Sequence, residues 1–342
     1  MRLVTFSLPG RRPRVGAVLG PWDRWQWVLD LHGLDDRIPV DMISFIDACG
    51  NLSGRTWVRA TRAVAAAEKS LAGRRSPSVH RPSAVRLHAP IAPRLLRDFI
   101  AFRGHIARTR AALGGPFPAE WERLPAYYNG NHLNILGPGE PVPVLEYPMY
   151  EGGDVGIAAT AKLDYEAEIG FVLGPGGRDI PATEASEHLF GVTIFNDFSA
   201  RDIQAVAMKV GLGPPPGKDW ANALGPCIVT RDEFGPLGDQ RVAVRINGTG
   251  RLSGTYRDLV YKNPFVGEGQ RAVWTFEEMV SFVSRSQKVH AGEVWGSGTI
   301  PGGCELEKGD RAVYLRPKDV VEIEVEGIGV LSNPIASGPS MS

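Results

Sequence analysis

Forty-one glycines and 27 prolines are spread along all 342 residues of the chain, with no one segment holding most of them. Both residue types interrupt regular structure, so this spacing predicts many short strands joined by turns, with few helices. Residues 3–6 and 15–19 form a hairpin in this reading, around the turn at Pro9-Gly10, and 27–31 is a further strand. Two helices are expected next. One covers 41–48, with Met42, Ile43, Phe45 and Ile46 apolar, and the other covers 59–71, Ala-rich and stopped by Gly73. Together they suggest a small α+β domain at 1–80. The Ser- and Pro-rich stretch 74–82 reads as a linker, with a larger unit at 85–336 and a flexible tail at 337–342.

The larger unit opens with an expected helix at 94–113 and then turns strand-rich. Strands are expected at 162–174, 192–195 and 320–325, a hairpin where 241–246 meets Asn247-Gly248, and a helix at 274–284. Lys and Arg number 38, as do Asp and Glu, so electrostatics offers no reason to expect nucleic acid or an anionic membrane as partner. No run of about 18 apolar residues is present to span a bilayer, and the N-terminus lacks an apolar signal core. Cys49, Cys227 and Cys304 are far apart and form no CxxC, so neither a disulfide framework nor a thiolate zinc site is expected. A reducing cytoplasm fits that pattern.

Chemistry concentrates in four places. Glu166 and Glu168 alternate with apolar residues on an expected strand, which puts their Cα atoms roughly 7 Å apart on one face. Such a pair is either a solvated face or a cation site, and Glu322, Glu324 and Glu326 repeat the same alternation elsewhere. In FNDFSARDIQ an apolar strand runs into Asp197 and then into a helical turn with Arg201 and Gln204. The loop GLGPPPGKD delivers Lys218, and GSGT delivers Thr299 with backbone N–H groups at Gly298. A loop of this kind adds no core area, so Lys218 is expected to act on a reaction and not on folding.

These motifs, with YNGN at 128–131 and the terminal VEIEVEGIGVLSNP, resemble the fumarylacetoacetate hydrolase (FAH) family in order over residues 90–335. The resemblance implies an α+β, β-rich fold, an FAH-like mixed β-sheet roll after a small N-terminal α+β domain, and a homodimer. It implies Mg²⁺ or Mn²⁺, with Ca²⁺ as a substitute, held by Glu166, Glu168 and Asp197. The segment DFIAFRGH matches a family motif that adds Asp98 as fourth ligand and His105 as base, and on the expected helix their seven-residue spacing puts both on one side. Glu305 is the implied partner of His105, although Glu307 lies only two residues on. Arg201, Gln204 and Lys218 are implied to stabilise oxyanion charge, and Tyr128, Gly298 and Thr299 to contact substrate. Two positions depart from the family pattern: Ile100 replaces an aromatic hydroxyl, and LPAYYNGN replaces LPxxYHGR. The implied activity is metal-dependent hydrolysis of a C–C bond in a β-diketone or acylpyruvate-type keto acid. A lyase or isomerase using the same site is the alternative, and a noncatalytic metal-stabilised binding protein is the third class.

Overall fold

β-Branched and aromatic runs between the turn residues pair into one mixed sheet. The structure, a computed structural model, describes residues 1–71, 76–151 and 153–338. Gly73, residues 74–75 of the expected linker and residues 339–342 of the expected tail lie outside them. The main path of the sheet runs Val79–His80, Trp27–Asp30, Arg14–Leu19, Arg2–Ser7, Asn222–Thr230, Leu189–Asp197, Ala167–Leu173, Val294–Gly296, Leu96–Phe99, Tyr127–Gly130. Most neighbours are antiparallel, but Val294–Gly296 and Leu96–Phe99 run parallel. Because Arg2–Ser7 pairs with Asn222–Thr230, the sheet continues from the N-terminal strands into the C-terminal ones without a break.

Alternation along the strands separates two apolar faces. On one, the helices Met42–Cys49 and Arg55–Ser70 lay Phe45, Ile46 and Trp57 against Leu3, Val15, Phe190 and Ile228. On the other, Val4, Ile169 and Val229 join a core that includes Val244 and Ile323 of a second, four-stranded sheet. That second sheet contains the expected hairpin: Asn247 and Gly248 both have positive φ, 52° and 76°, as a two-residue type I′ turn requires. The helix expected at 274–284 is Phe276–Ser286, started by a capping box between Thr275 and Glu278. No helix among the described residues is long and apolar enough to cross a membrane.

The helix expected at 94–113 is a strand, Leu96–Phe99, followed by a helix, Arg103–Ala112. Helical propensity is a weak prior, and here pairing on both edges overrides it. Burial of Arg97 reinforces the strand. Its guanidinium donates to Glu293 (3.3 Å), Asn129 (3.1 Å) and Gln287 (2.9 Å) and lies over the rings of Tyr127 and Trp295. The same Glu293 oxygen, Oε2, also accepts from the indole N–H of Trp295, and Oε1 accepts from the backbone N–H of His290. This buried pair therefore braces the strand that carries Asp98. Replacing Glu293 with alanine leaves the guanidinium buried and uncompensated, and the expected cost is about 3–5 kcal/mol. Urea unfolding measures it, and an unchanged midpoint would show that the pair contributes nothing.

Candidate functional site

Four neighbouring strands bring the acids together. Asp98 pairs across from Gly296, Gly296 from Gly170, and Glu168 from Phe195, so Asp98, Glu168 and Asp197 arrive side by side. Gly296 makes their approach possible. A Cβ there would sit 2.6 Å from Asp98 Oδ1 and 2.7 Å from Glu168 Oε2, inside contact distance. With Glu166 from the adjoining segment, each of the four acids offers an oxygen within 4.8 Å of the others, and all four residues are buried. The Glu322–Glu324 repeat ends differently: Arg245 bonds both residues, which stay partly exposed.

Two cations balance part of this charge. Lys218 Nζ donates to Glu166 (2.5 Å) and to Asp197, and Arg201 donates to Glu166 (2.7 Å) and Asp164 (2.9 Å). Tyr128 Oη donates to Asp197 (2.9 Å) and the backbone N–H of Gly298 to Glu168 (2.9 Å). Burial tends to raise the Glu166 pKa, but the charges of Lys218 and Arg201 outweigh it and hold this carboxyl below its ordinary range. The others go up. Burial and the Asp197 charge push Asp98 well above the ordinary range, burial and the Asp98 charge do the same to Glu168, and burial raises Asp197 against the opposing pull of Lys218. Asp98 Oδ1, Glu168 Oε1 and Asp197 Oδ1 are buried without a hydrogen-bond partner. Four converging carboxylates, three of them with an unpartnered buried oxygen, suit a hard divalent cation, and an all-oxygen set favours Mg²⁺, Mn²⁺ or Ca²⁺ over zinc.

His105 stands on the Arg103–Ala112 helix, while Asp98 is on the preceding strand, so no shared helical face joins them. The carboxylate partner of His105 is Glu307, not Glu305. Nδ1 lies 2.7 Å from Glu307 Oε1, and Glu307 Oε2 accepts the N–H of Gly302 (2.7 Å). An ionised carboxylate is an acceptor only, so in the neutral imidazole Nδ1 carries the proton and Nε2 the lone pair. Glu305 instead accepts from Tyr165 Oη (3.1 Å), Lys308 Nζ (2.6 Å) and Val313 N (3.0 Å). The reason is local: Leu306–Arg311 forms a 3₁₀ turn, and in such a turn residues two apart do not share a face.

The remaining expected residues cluster around this pair of groups. Gln204 Oε1 accepts from Arg201 (3.1 Å), which leaves its NH₂ free to donate. Thr299 Oγ1 is buried with no partner. Lys218, expected to be indifferent to folding, is buried and tied to two carboxylates, so it bears on stability too. Sequence reading missed Asp164. Its carboxylate accepts the backbone N–H groups of Tyr165, Glu305 and Leu306 at 2.9–3.0 Å, besides the Arg201 guanidinium. Asp164 thus pins the turn that carries Glu307 to the cation that holds Glu166. A signal was present, since Asp164 is the first of three acids alternating with Glu166 and Glu168.

Residues 94–336 match the family profile described as fumarylacetoacetate (FAA) hydrolase C-terminal. The chain is 26% identical over 346 residues to a mitochondrial oxaloacetate tautomerase of Xenopus laevis, covering 98% of this chain and 90% of that protein. It is 30% identical over 270 residues to the fumarylacetoacetase of Arabidopsis thaliana, covering 68% of this chain and 62% of that one. Among solved structures, a fumarylacetoacetate hydrolase from Exiguobacterium antarcticum is similar with a TM-score of 0.66 at 26% identity, covering 98% of this chain and 99% of that chain.

Two outcomes are expected from this geometry. Gly296→Ala drives a methyl group between Asp98 and Glu168, so the folded variant should bind Mn²⁺ at least about tenfold more weakly by titration calorimetry, a loss of about 1.4 kcal/mol; unaltered affinity would mean that the ion sits elsewhere. Lys218→Ala removes one partner of a buried ionic cluster and should destabilise the metal-free protein by about 3–5 kcal/mol. Thermal and urea melts in chelator read this directly, with an unchanged melt as the contrary result.

Proposed function

The chain belongs to the fumarylacetoacetate hydrolase family, and on that premise we propose that it is a divalent-metal-dependent enzyme hydrolysing a C–C bond in a β-diketone or acylpyruvate-type keto acid. The observation that carries the reading is the His105–Glu307 pair, whose turn is tied to the acidic cluster through Asp164 and the Arg201 guanidinium that bonds Glu166. Asp98, Glu166, Glu168 and Asp197 would hold Mg²⁺ or Mn²⁺, with Ca²⁺ able to substitute. When bound, such an ion supplies Lewis-acid polarisation of a carbonyl.

The protein's own groups supply the rest. His105 Nε2, with its lone pair free, takes a proton from water, and Glu307 stabilises the imidazolium that results. Lys218 has three N–H donors, of which two are engaged by Glu166 and Asp197, so the third is left for a substrate oxygen. Gln204, oriented by Arg201, offers its NH₂, and the Thr299 hydroxyl needs a partner in this buried setting. A keto acid brings the negative oxygens that such a donor set recognises. The proposed working form is a homodimer, a reading supported by the apolar side chains of Tyr150, Val155, Ile157, Val206 and Val210, all exposed.

A second reading, keto–enol tautomerisation of an oxaloacetate-type acid, is favoured by the relative of that activity that aligns with 98% of the chain. In that reaction the same Nε2 moves a carbon-bound proton and no bond to water forms. Product mass separates the two, since hydrolysis adds water and tautomerisation leaves mass unchanged while the enol absorbance decays. His105→Ala and Glu307→Gln are each expected to lower acylpyruvate hydrolysis by on the order of 10²–10⁴-fold with metal content retained. Hydrolysis near the wild-type rate in both variants would remove the base from the mechanism.

A further inference from the structure

The acidic cluster is joined by a second donor set of different chemistry. Cys304 is wholly buried on the loop that follows Gly302 and Gly303, with its Sγ 3.8 Å from Glu307 Oε1. His105 Nδ1 lies 2.7 Å from the same oxygen, and the three residues each offer one ligand atom within 4.8 Å of the others. Cysteine spacing alone gives no hint of this, because the imidazole arrives from a helix two hundred residues earlier in the chain. A thiol sulfur, an imidazole nitrogen and one carboxylate oxygen are the ligand types of tetrahedral Zn²⁺, with Zn–S about 2.3 Å and Zn–N about 2.0–2.1 Å. Closing around such an ion needs ligand atoms about 3–4 Å apart, so no pair has to close by more than roughly 1–2 Å. A fourth position stays open for water.

We propose that His105, Cys304 and Glu307 form a zinc-selective site, distinct from the hard-cation site, and that its occupancy disables the base. The binding part stands on the donor set alone, while the inhibitory part rests on the reading of His105 as general base. Cys304 S–H releases its proton to solvent and binds as thiolate. The imidazole gives its Nδ1 lone pair to the ion, so the ring proton that Nδ1 donated to Glu307 moves to Nε2. Nε2 then has no lone pair with which to take a proton from water. One thiolate and one carboxylate neutralise Zn²⁺, so the occupied site carries no net charge, and Arg108, one-third exposed, lies beside Glu307 with its Nε 3.6 Å from Oε2. Without an ion, burial and then the Glu307 charge keep the Cys304 thiol well above its ordinary pKa, so the free thiol is a poor nucleophile. The two sites sort ions by softness, since four carboxylates suit Mg²⁺ and Mn²⁺ whereas sulfur and nitrogen select zinc.

Cobalt(II) reports on this site without any turnover. The full-length protein, saturated with Mg²⁺, is titrated with Co²⁺ and then Zn²⁺. One equivalent of Co²⁺ should produce a thiolate-to-cobalt charge-transfer band and tetrahedral visible bands, which Zn²⁺ then bleaches, with one proton released per ion. Cys304→Ser should lose the charge-transfer band and bind Zn²⁺ on the order of 10²-fold more weakly. It should also keep basal turnover while losing inhibition by Zn²⁺. Absence of the charge-transfer band in the wild-type protein overturns the site, whatever the variant does. Zinc inhibition that persists undiminished in Cys304→Ser would place the effect at the acidic cluster and equally overturns it. If the bands appear but the wild type hydrolyses no acylpyruvate, the zinc site stands and the hydrolase reading fails.

Discussion

Four carboxylates buried around one point are the constraint from which the rest of the structure follows. At an effective dielectric of about 20, two like charges about 4 Å apart repel by about 4 kcal/mol, so the cluster persists only where the surrounding fold compensates it. Compensation takes three forms here. Lys218 and Arg201 supply fixed positive charge, Tyr128 and the Gly298 N–H supply neutral donors, and the absent side chain of Gly296 supplies room. Even so, three carboxylate oxygens go unpartnered, and the remaining imbalance has the size and hardness of one divalent cation. The wide mixed sheet serves this end, since only strands held rigidly side by side keep such groups from drifting apart.

Much of this was legible before any coordinates, though unevenly. Asp98, Glu166, Glu168 and Asp197 were all named from motifs, and they do come together. Alternation alone did not suffice, because Glu322 and Glu324 carry the same pattern and settle as partly exposed partners of Arg245. What separates the two pairs is the neighbouring strand, which is a tertiary fact. The same cause explains the misread segment at 94–113. Its local pattern suits a helix, but Val294–Gly296, two hundred residues away, pairs with its first part and turns it into a strand. Local sequence carries no signal for a partner that distant.

Glu307 and Asp164 illustrate a finer limit. Choosing between Glu305 and Glu307 required knowing whether the chain there is a strand or a turn, which their spacing of two does not decide. Once the 3₁₀ turn forms, Glu305 swings toward Tyr165 and Lys308 while Glu307 meets His105. Asp164 was hidden for the opposite reason. Its pattern was plain, but its work is done on backbone N–H groups of residues 305 and 306, and backbone donors leave no trace in a sequence.

That contact also couples two parts of the site that chemistry treats separately. Arg201 bonds both Asp164 and Glu166, and Asp164 bonds the start of the turn bearing Glu307, so the segment carrying Glu166 and the carboxylate that meets His105 form one hydrogen-bonded unit. The His105 imidazole is therefore positioned relative to the acids by a short, largely buried path. On the proposed reading, hydrolysis and tautomerisation would both need a base held at a fixed distance from a polarised carbonyl, and this unit would provide that distance for either. They differ only in whether Nε2 meets a water or a carbon-bound proton, which is decided by the substrate's shape and by what Gln204, Thr299 and Lys218 hold in place. In a site built this way, the metal, base and scaffold are common to both reactions, and the choice between them falls to the few donors that face the substrate.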